Sequence, residues 1–304
     1  MAYLMHIGFD DNDFFWKNIF YFEYKGIKFK FIQDKRKKWS SVLITIIKGQ
    51  NNLVEENRAY NLASEYLSAL AWENNSVMKV WHSGNYGGGI SEDIKLLKAR
   101  RVFFQFPRSP FYGYSYGFDF QRIPKVENEK QRDALILYRE ARSTNNDYLS
   151  FLFFWQVLEI GYKGGSTNWI NKIWRNNQGE LKNDIKYDVE KISMGSKKIG
   201  EYLYHDCRKA ISHLYTLREG TKSIKIDSLD DNIRIMRGRR IIQEFAQFYI
   251  KNELNLQKRL YLVRKSKNGF PVYLDEEYYN KRVNNNFYRE AYTYKSKFLK
   301  QRFS

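Results

Sequence analysis

The stretch YHDCRKAISHLY, residues 204–215, concentrates groups that can move protons and hold phosphate. It contains two of the four histidines, the only cysteine, and Arg208 five residues before His213. A histidine titrates near pH ~6.5 and can transfer protons at neutral pH. An arginine can bind a phosphate through two parallel hydrogen bonds and stabilise charge that develops on it. Together they suit cleavage of RNA by attack of a ribose 2′-hydroxyl on the neighbouring phosphate. That reaction needs a proton acceptor, a proton donor and a positive clamp, but no separate nucleophile. The plainer alternative is a helix, polar on one side, with a surface arginine and a structural histidine. Spacing alone leaves both readings open.

Read as an α-helix, the stretch places Arg208 and His213 about 140° apart and Asp206 and His213 within about 20° of each other. His205 lies three residues from Arg208, nearly adjacent on the helix surface. Leu203, Cys207, Ala210, Ile211 and Leu214 take the other side. Cys207 therefore reads as a buried structural cysteine rather than a nucleophile. His205, Asp206 and His213 lack the spacing of a HExxH or cysteine-pair site, so no metal and no cofactor is expected. His6 and His82 have no motif around them.

The elements that must position these residues change character along the chain. IFYFEYKGIKFKFIQ alternates apolar and polar residues around Lys25-Gly26, the pattern of a half-buried hairpin, and SSVLITIIK is a further strand. From residue 52 to 74, apolar residues recur at three- and four-residue spacing through Ala59, Ala63, Tyr66, Leu67 and Leu70, which predicts an amphipathic helix. VMKVWHSG and RRVFFQF read as strands. GNYGGGI between them is a loop without phosphate-loop spacing, and PRSPFYGYSYGFDF is an aromatic, glycine-rich loop. From Lys125 the pattern is helical: ENEKQRDALILYREARS, then NNDYLSFLFFWQVLEIGYK, apolar enough for a central core helix and capped at residues 145–147. STNWINKIWRNN, starting at a Ser-Thr cap, follows. The helix carrying the 204–215 stretch and a long helix from SLDDNIR complete the set. RLYLVRKSKNGFPVYLD reads as two short strands around Asn268-Gly269.

The fold class is α+β. A β-rich N-terminal domain with one helix (1–124) is expected, then an all-helical bundle (125–255), then a small basic, aromatic C-terminal extension (256–304). The 304 residues are 43% hydrophobic and 17% aromatic, enough for sizeable cores and against general disorder. The formal charge of +18 favours polyanion partners, nucleic acids first among them. One cysteine excludes an internal disulfide framework and fits a reducing cytoplasm. No apolar run is long enough for a membrane span, and the first residues lack a signal pattern.

Arg208-Lys-Ala-Ile-Ser-His213 resembles the arginine, four-to-six residues, histidine motif of the HEPN superfamily, and the helix order around it resembles the Apea-like branch. The likeness covers roughly residues 125–255. NNDYLSFLFFWQVLEIGYK resembles the early HEPN helix that ends in an aromatic stretch and a glutamate. YNLASEYLSALAWENN resembles the extension that precedes the bundle in that branch. The resemblance implies a metal-independent endoribonuclease of toxin–antitoxin or anti-phage systems, with two bundles pairing their motifs in one cleft. On it, His213 transfers protons, Arg208 clamps phosphate, and Glu159 orients Arg208 or His213. His205, Asp206 and Lys209 are the substrate-binding candidates. With one motif per chain, a homodimer is implied, and an antitoxin or defence-system protein is a further expected partner. Many active members carry Asn, His or Asp after the arginine, where this chain has Lys209. The rival readings are a non-catalytic RNA-binding scaffold and a regulatory partner of a neighbouring defence protein.

Overall fold

A computed structural model describes residues 2–11, 20–33, 40–48, 53–80, 90–91, 122–161, 165–192, 197–212, 224–225, 228–264 and 271–278. The chain divides into two compact units. One comprises residues 1–74, 80–125 and 257–304, the other residues 75–79 and 126–256.

The first unit is built on an antiparallel meander. Strand β1 (Ala2–Asp11) pairs along its length with β4 (Ser40–Lys48), and β4 pairs with β3 (Ile27–Gln33). β3 folds back on β2 (Phe20–Tyr24) through a two-residue turn. Lys25 and Gly26 both hold positive φ there, 45° and 82°, as a hairpin turn matched to strand twist requires. Helix α1 (Leu53–Glu73) follows. The short strands β5 (Met78–Val80), β6 (Ile90–Ser91) and β7 (Arg122–Pro124) come next. The alternation seen in the sequence becomes a buried row: Met5, Ile7 and Phe9 on β1, Phe22 and Tyr24 on β2, Phe29 and Phe31 on β3. α1 covers it. Tyr66 stacks on Phe22 at 4.3 Å between centroids, and buried Glu65 is compensated by Lys25 at 2.6 Å and by the Tyr24 hydroxyl.

Strands β8 (Arg259–Arg264) and β9 (Pro271–Asp275) complete this unit. The sequence reading assigns them to a separate C-terminal extension. The structure instead lays β9 parallel to β2 and pairs β8 with β7, so they extend the N-terminal sheet. An isolated two-stranded hairpin is marginal in water, and the neighbouring strands supply the pairing it lacks. Glu73, at the end of α1, ties both strands down by holding Arg122 of β7 at 2.7 Å and Arg259 of β8 at 2.9 Å. The loop sequences 81–89 and 107–120, the strand expected at 100–106, His82 and the tail from residue 279 lie outside the described residues.

The second unit is helical and runs from residue 126 to residue 256, with residues 75–79 joined to it. α2 (Glu129–Ser143) is capped by Asn128, and α3 (Asp147–Glu159) by Asn146, whose side chain accepts from the amides of Tyr148 and Leu149. α3 is the central helix. Phe151, Phe154, Trp155, Val157 and Leu158 are buried, and it packs against both α2 and the long helix near the end of the unit. α4 (Ser166–Asn176) begins after Gly165, which makes no side-chain cap, so the expected Ser-Thr cap is absent. A 3-10 turn (Gln178–Glu180) and α5 (Asn183–Lys191) follow. α6 (Ile199–Tyr202), a π-helical segment (Leu203–Lys209) and α7 (Ala210–Ser212) run on as one continuous helix. α8 (Leu229–Phe248), capped by Ser228, ends in a second π-helical segment (Tyr249–Glu253). Among the described residues, no helix is long and apolar enough to cross a membrane.

Candidate functional site

The helix formed by residues 199–212 is held in place by close backbone approaches. At Gly200, a β-carbon would come within 2.2 Å of the Thr167 carbonyl oxygen, so only glycine lets α6 lie against α4. The Gly200 amide donates to Asn171 Oδ1 at 2.8 Å, which fixes that contact. On the other side, α8 presents Gly238. A β-carbon there would meet Cys207 Sγ at 3.0 Å and Phe151 at 3.4 Å. Cys207 is fully buried, as its place on the apolar side implies.

The motif helix is not α-helical where it carries the candidate residues. From Leu203 to Lys209 its hydrogen bonds close over five residues instead of four. The angles expected from 100° per residue therefore do not hold across this stretch. Leu203, Asp206, Cys207, Ala210 and Ile211 face inward, whereas Tyr204, His205, Arg208 and Lys209 are half-buried. Asp206 is buried at 7% exposure, and Lys197 Nζ grips both its carboxylate oxygens at 2.7 Å. The structure thus separates Asp206 from His205 and Lys209, its companions in the sequence reading.

Arg208 meets Glu159. Its Nη2 donates to Glu159 Oε1 at 3.2 Å across a sequence separation of 49 residues. Glu159 is the last residue of α3, where the helix dipole disfavours a carboxylate, so Arg208 neutralises an otherwise unfavourable charge. The end of α3 is itself fixed. Gly161 follows the C-cap with φ 79°, in the left-handed conformation that closes many helices. The Tyr249 hydroxyl donates to the carbonyl of the C-cap, Ile160.

Two residues to which the sequence reading gave no role complete the arrangement. Trp155 Nε1 donates to the same Glu159 Oε1 at 2.8 Å, and Tyr204 offers its ring face to the Arg208 guanidinium, 5.5 Å from the centroid. The rings of Trp155 and Tyr204 lie 5.9 Å apart. His205 sits edge-on to Tyr204 at 4.9 Å. Both new members were within reach of spacing rules: Trp155–Glu159 and Tyr204–Arg208 are each four residues apart, the separation at which helical side chains meet. His213 lies outside the described residues.

With side chains 32% and 44% exposed, the Arg208–Glu159 pair adds at most about 1 kcal/mol to stability. The contact of Arg208 with the Tyr204 face adds about 0.5–1 kcal/mol at such an exposed position. These are small terms for folding. Their chief effect is to set the direction of a guanidinium that stays accessible to solvent.

A family model described as Methylamine utilization protein MauJ matches residues 134–251. The match lies wholly within the helical unit and takes in Trp155, Glu159, Tyr204 and Arg208. No curated protein matches the chain, and no solved structure does.

Proposed function

We propose that the chain is a metal-independent endoribonuclease of the HEPN type, acting as a homodimer in a toxin or anti-phage defence role. The observation that carries this reading is the held arginine of the motif. Arg208, five residues before His213, is oriented by Glu159 at the end of the central helix, in the relation that the family resemblance assigns to these positions. The MauJ match spans the same helices, and MauJ-like proteins are HEPN-related.

In the proposed reaction, His213 takes the proton from a ribose 2′-hydroxyl. The 2′-oxygen attacks phosphorus, and the P–O5′ bond breaks. Arg208 stabilises the charge on the non-bridging oxygens. The leaving 5′-oxygen receives a proton, supplied in a dimer by the second copy's histidine. The products are a 2′,3′-cyclic phosphate and a 5′-hydroxyl, and the protons balance without a further reactant. Lys209 and His205 lie beside Arg208 in sequence and are the candidates for contacts to flanking phosphates.

Lys209 also favours a second reading, RNA binding without cleavage. A lysine after the arginine cannot accept the hydrogen bond that Asn, His or Asp there would. Purified protein incubated with cellular RNA in EDTA, beside Arg208→Ala and His213→Ala, separates the two. Cuts with cyclic-phosphate ends by wild type alone support the nuclease. Equal binding and no cuts by all three overturn it.

A further inference from the structure

We infer that Trp155 is a positioning residue for Arg208, acting through the Glu159 carboxylate. For its chemical consequence, the inference rests on the reading of Arg208 as a phosphate clamp.

Glu159 Oε1 accepts two donors, the Trp155 indole N–H at 2.8 Å and Arg208 Nη2 at 3.2 Å. A carboxylate at an exposed helix end would otherwise rotate among several rotamers. The indole removes that freedom. Trp155 is 2% exposed, and its ring stacks with Phe151 at 6.2 Å and lies 5.9 Å from Tyr204, so its N–H has a fixed direction. Oε1 is thereby held at one point, and the guanidinium that binds it is held as well. Tyr204 adds a second, weaker attraction on the guanidinium, whose carbon lies over its ring 5.5 Å from the centroid. The four side chains form a closed ring: Trp155 to Glu159, Glu159 to Arg208, Arg208 to Tyr204, and Tyr204 back to Trp155.

The ring has a chemical consequence. A clamp that works on charge developing in a transition state loses power when its direction is averaged, even where ground-state affinity is kept. Trp155 then contributes to turnover more than to binding. A tryptophan needed only for packing would lower the folded fraction and leave turnover per folded molecule unchanged.

The test uses Trp155→Phe, which keeps a buried ring and removes the N–H, together with Glu159→Ala and the double variant. The first readout needs no activity: the indole 1H–15N resonance of Trp155, identified by its loss in Trp155→Phe. It is expected to move in Arg208→Ala as well as in Glu159→Ala. A resonance indifferent to Arg208→Ala overturns the inference. The second readout is steady-state cleavage of a short RNA. Trp155→Phe is expected to lower kcat about fivefold with KM within about twofold, and to add nothing in the Glu159→Ala background. Losses that multiply in the double variant overturn the inference. If wild type cleaves no RNA while the indole resonance still reports Arg208, the nuclease reading fails and the positioning of Arg208 by Trp155 stands.

Discussion

Arg208 and Glu159 meet through a single carboxylate oxygen, Nη2 to Oε1 at 3.2 Å, although 49 residues separate them. The pair is half-exposed and therefore a weak contributor to folding, so its removal separates function from stability.

Arg208→Ala is expected to melt close to wild type, losing at most about 1 kcal/mol. RNA cleavage is expected to fall by about 100-fold or more, as for loss of a transition-state charge stabiliser. His213→Ala is expected to lose on the order of 10²–10⁴-fold, the usual worth of general acid–base catalysis. Cleavage rates beside thermal melts of each variant check this. Full activity in either variant removes that residue from the mechanism.

The proposed composite site requires two copies of the chain. Light scattering at micromolar protein is expected to give twice the 36.7 kDa chain mass. Specific activity is expected to fall on dilution once the dimer dissociates. Activity per chain that stays constant into a demonstrably monomeric range would falsify the composite site.

Gly200→Ala tests how the motif helix is held. Its β-carbon would lie 2.2 Å from the Thr167 carbonyl oxygen, a backbone atom that cannot swing aside. Alanine ordinarily stabilises a helix interior by about 1 kcal/mol relative to glycine. Here the overlap outweighs that gain, and a net loss of about 1–3 kcal/mol is expected in urea unfolding. A more stable variant would show that α6 does not approach α4 this closely.

Alkaline pH should weaken the helical unit through Tyr202. Burial, the largest cause, followed by the neighbouring Cys207, raises its phenol well above the usual value. The native state therefore keeps a proton that the unfolded chain releases near pH ~10. By linkage, the stabilisation is complete below the unfolded value and declines as pH rises from there towards the folded value. Unfolding free energies followed through this range should fall less steeply in Tyr202→Phe than in wild type. Identical slopes would assign the loss to other tyrosines, such as Tyr66, which burial also raises.

Much of the frame was legible in the sequence because it depends on short-range patterns. The Lys25-Gly26 turn, the buried face of α1 and the Asn146 cap each follow from a few neighbouring residues. Glu159 and Arg208 were singled out by resemblance, and their contact depends on tertiary packing that no local pattern encodes. Asp206 shows where periodicity failed. A fixed 100° per residue puts it on the polar side with His213, but the π-helical segment turns it inward to Lys197, nine residues earlier. Nothing in LYHDCRK itself announces a π-helix. The wider turn fits a helix that must pass Thr167 on one flank and Gly238 on the other. The joining of β9 to β2 was equally hidden, because it pairs segments from opposite ends of the chain.

The π-helical segment gives the motif helix slack. A stretch closed over five residues holds more chain than an α-helix needs for the same advance, so length and facing are partly uncoupled between Leu203 and Lys209. Losing a residue there would let the wide turn relax to an ordinary one while α6 and α7 kept their seats.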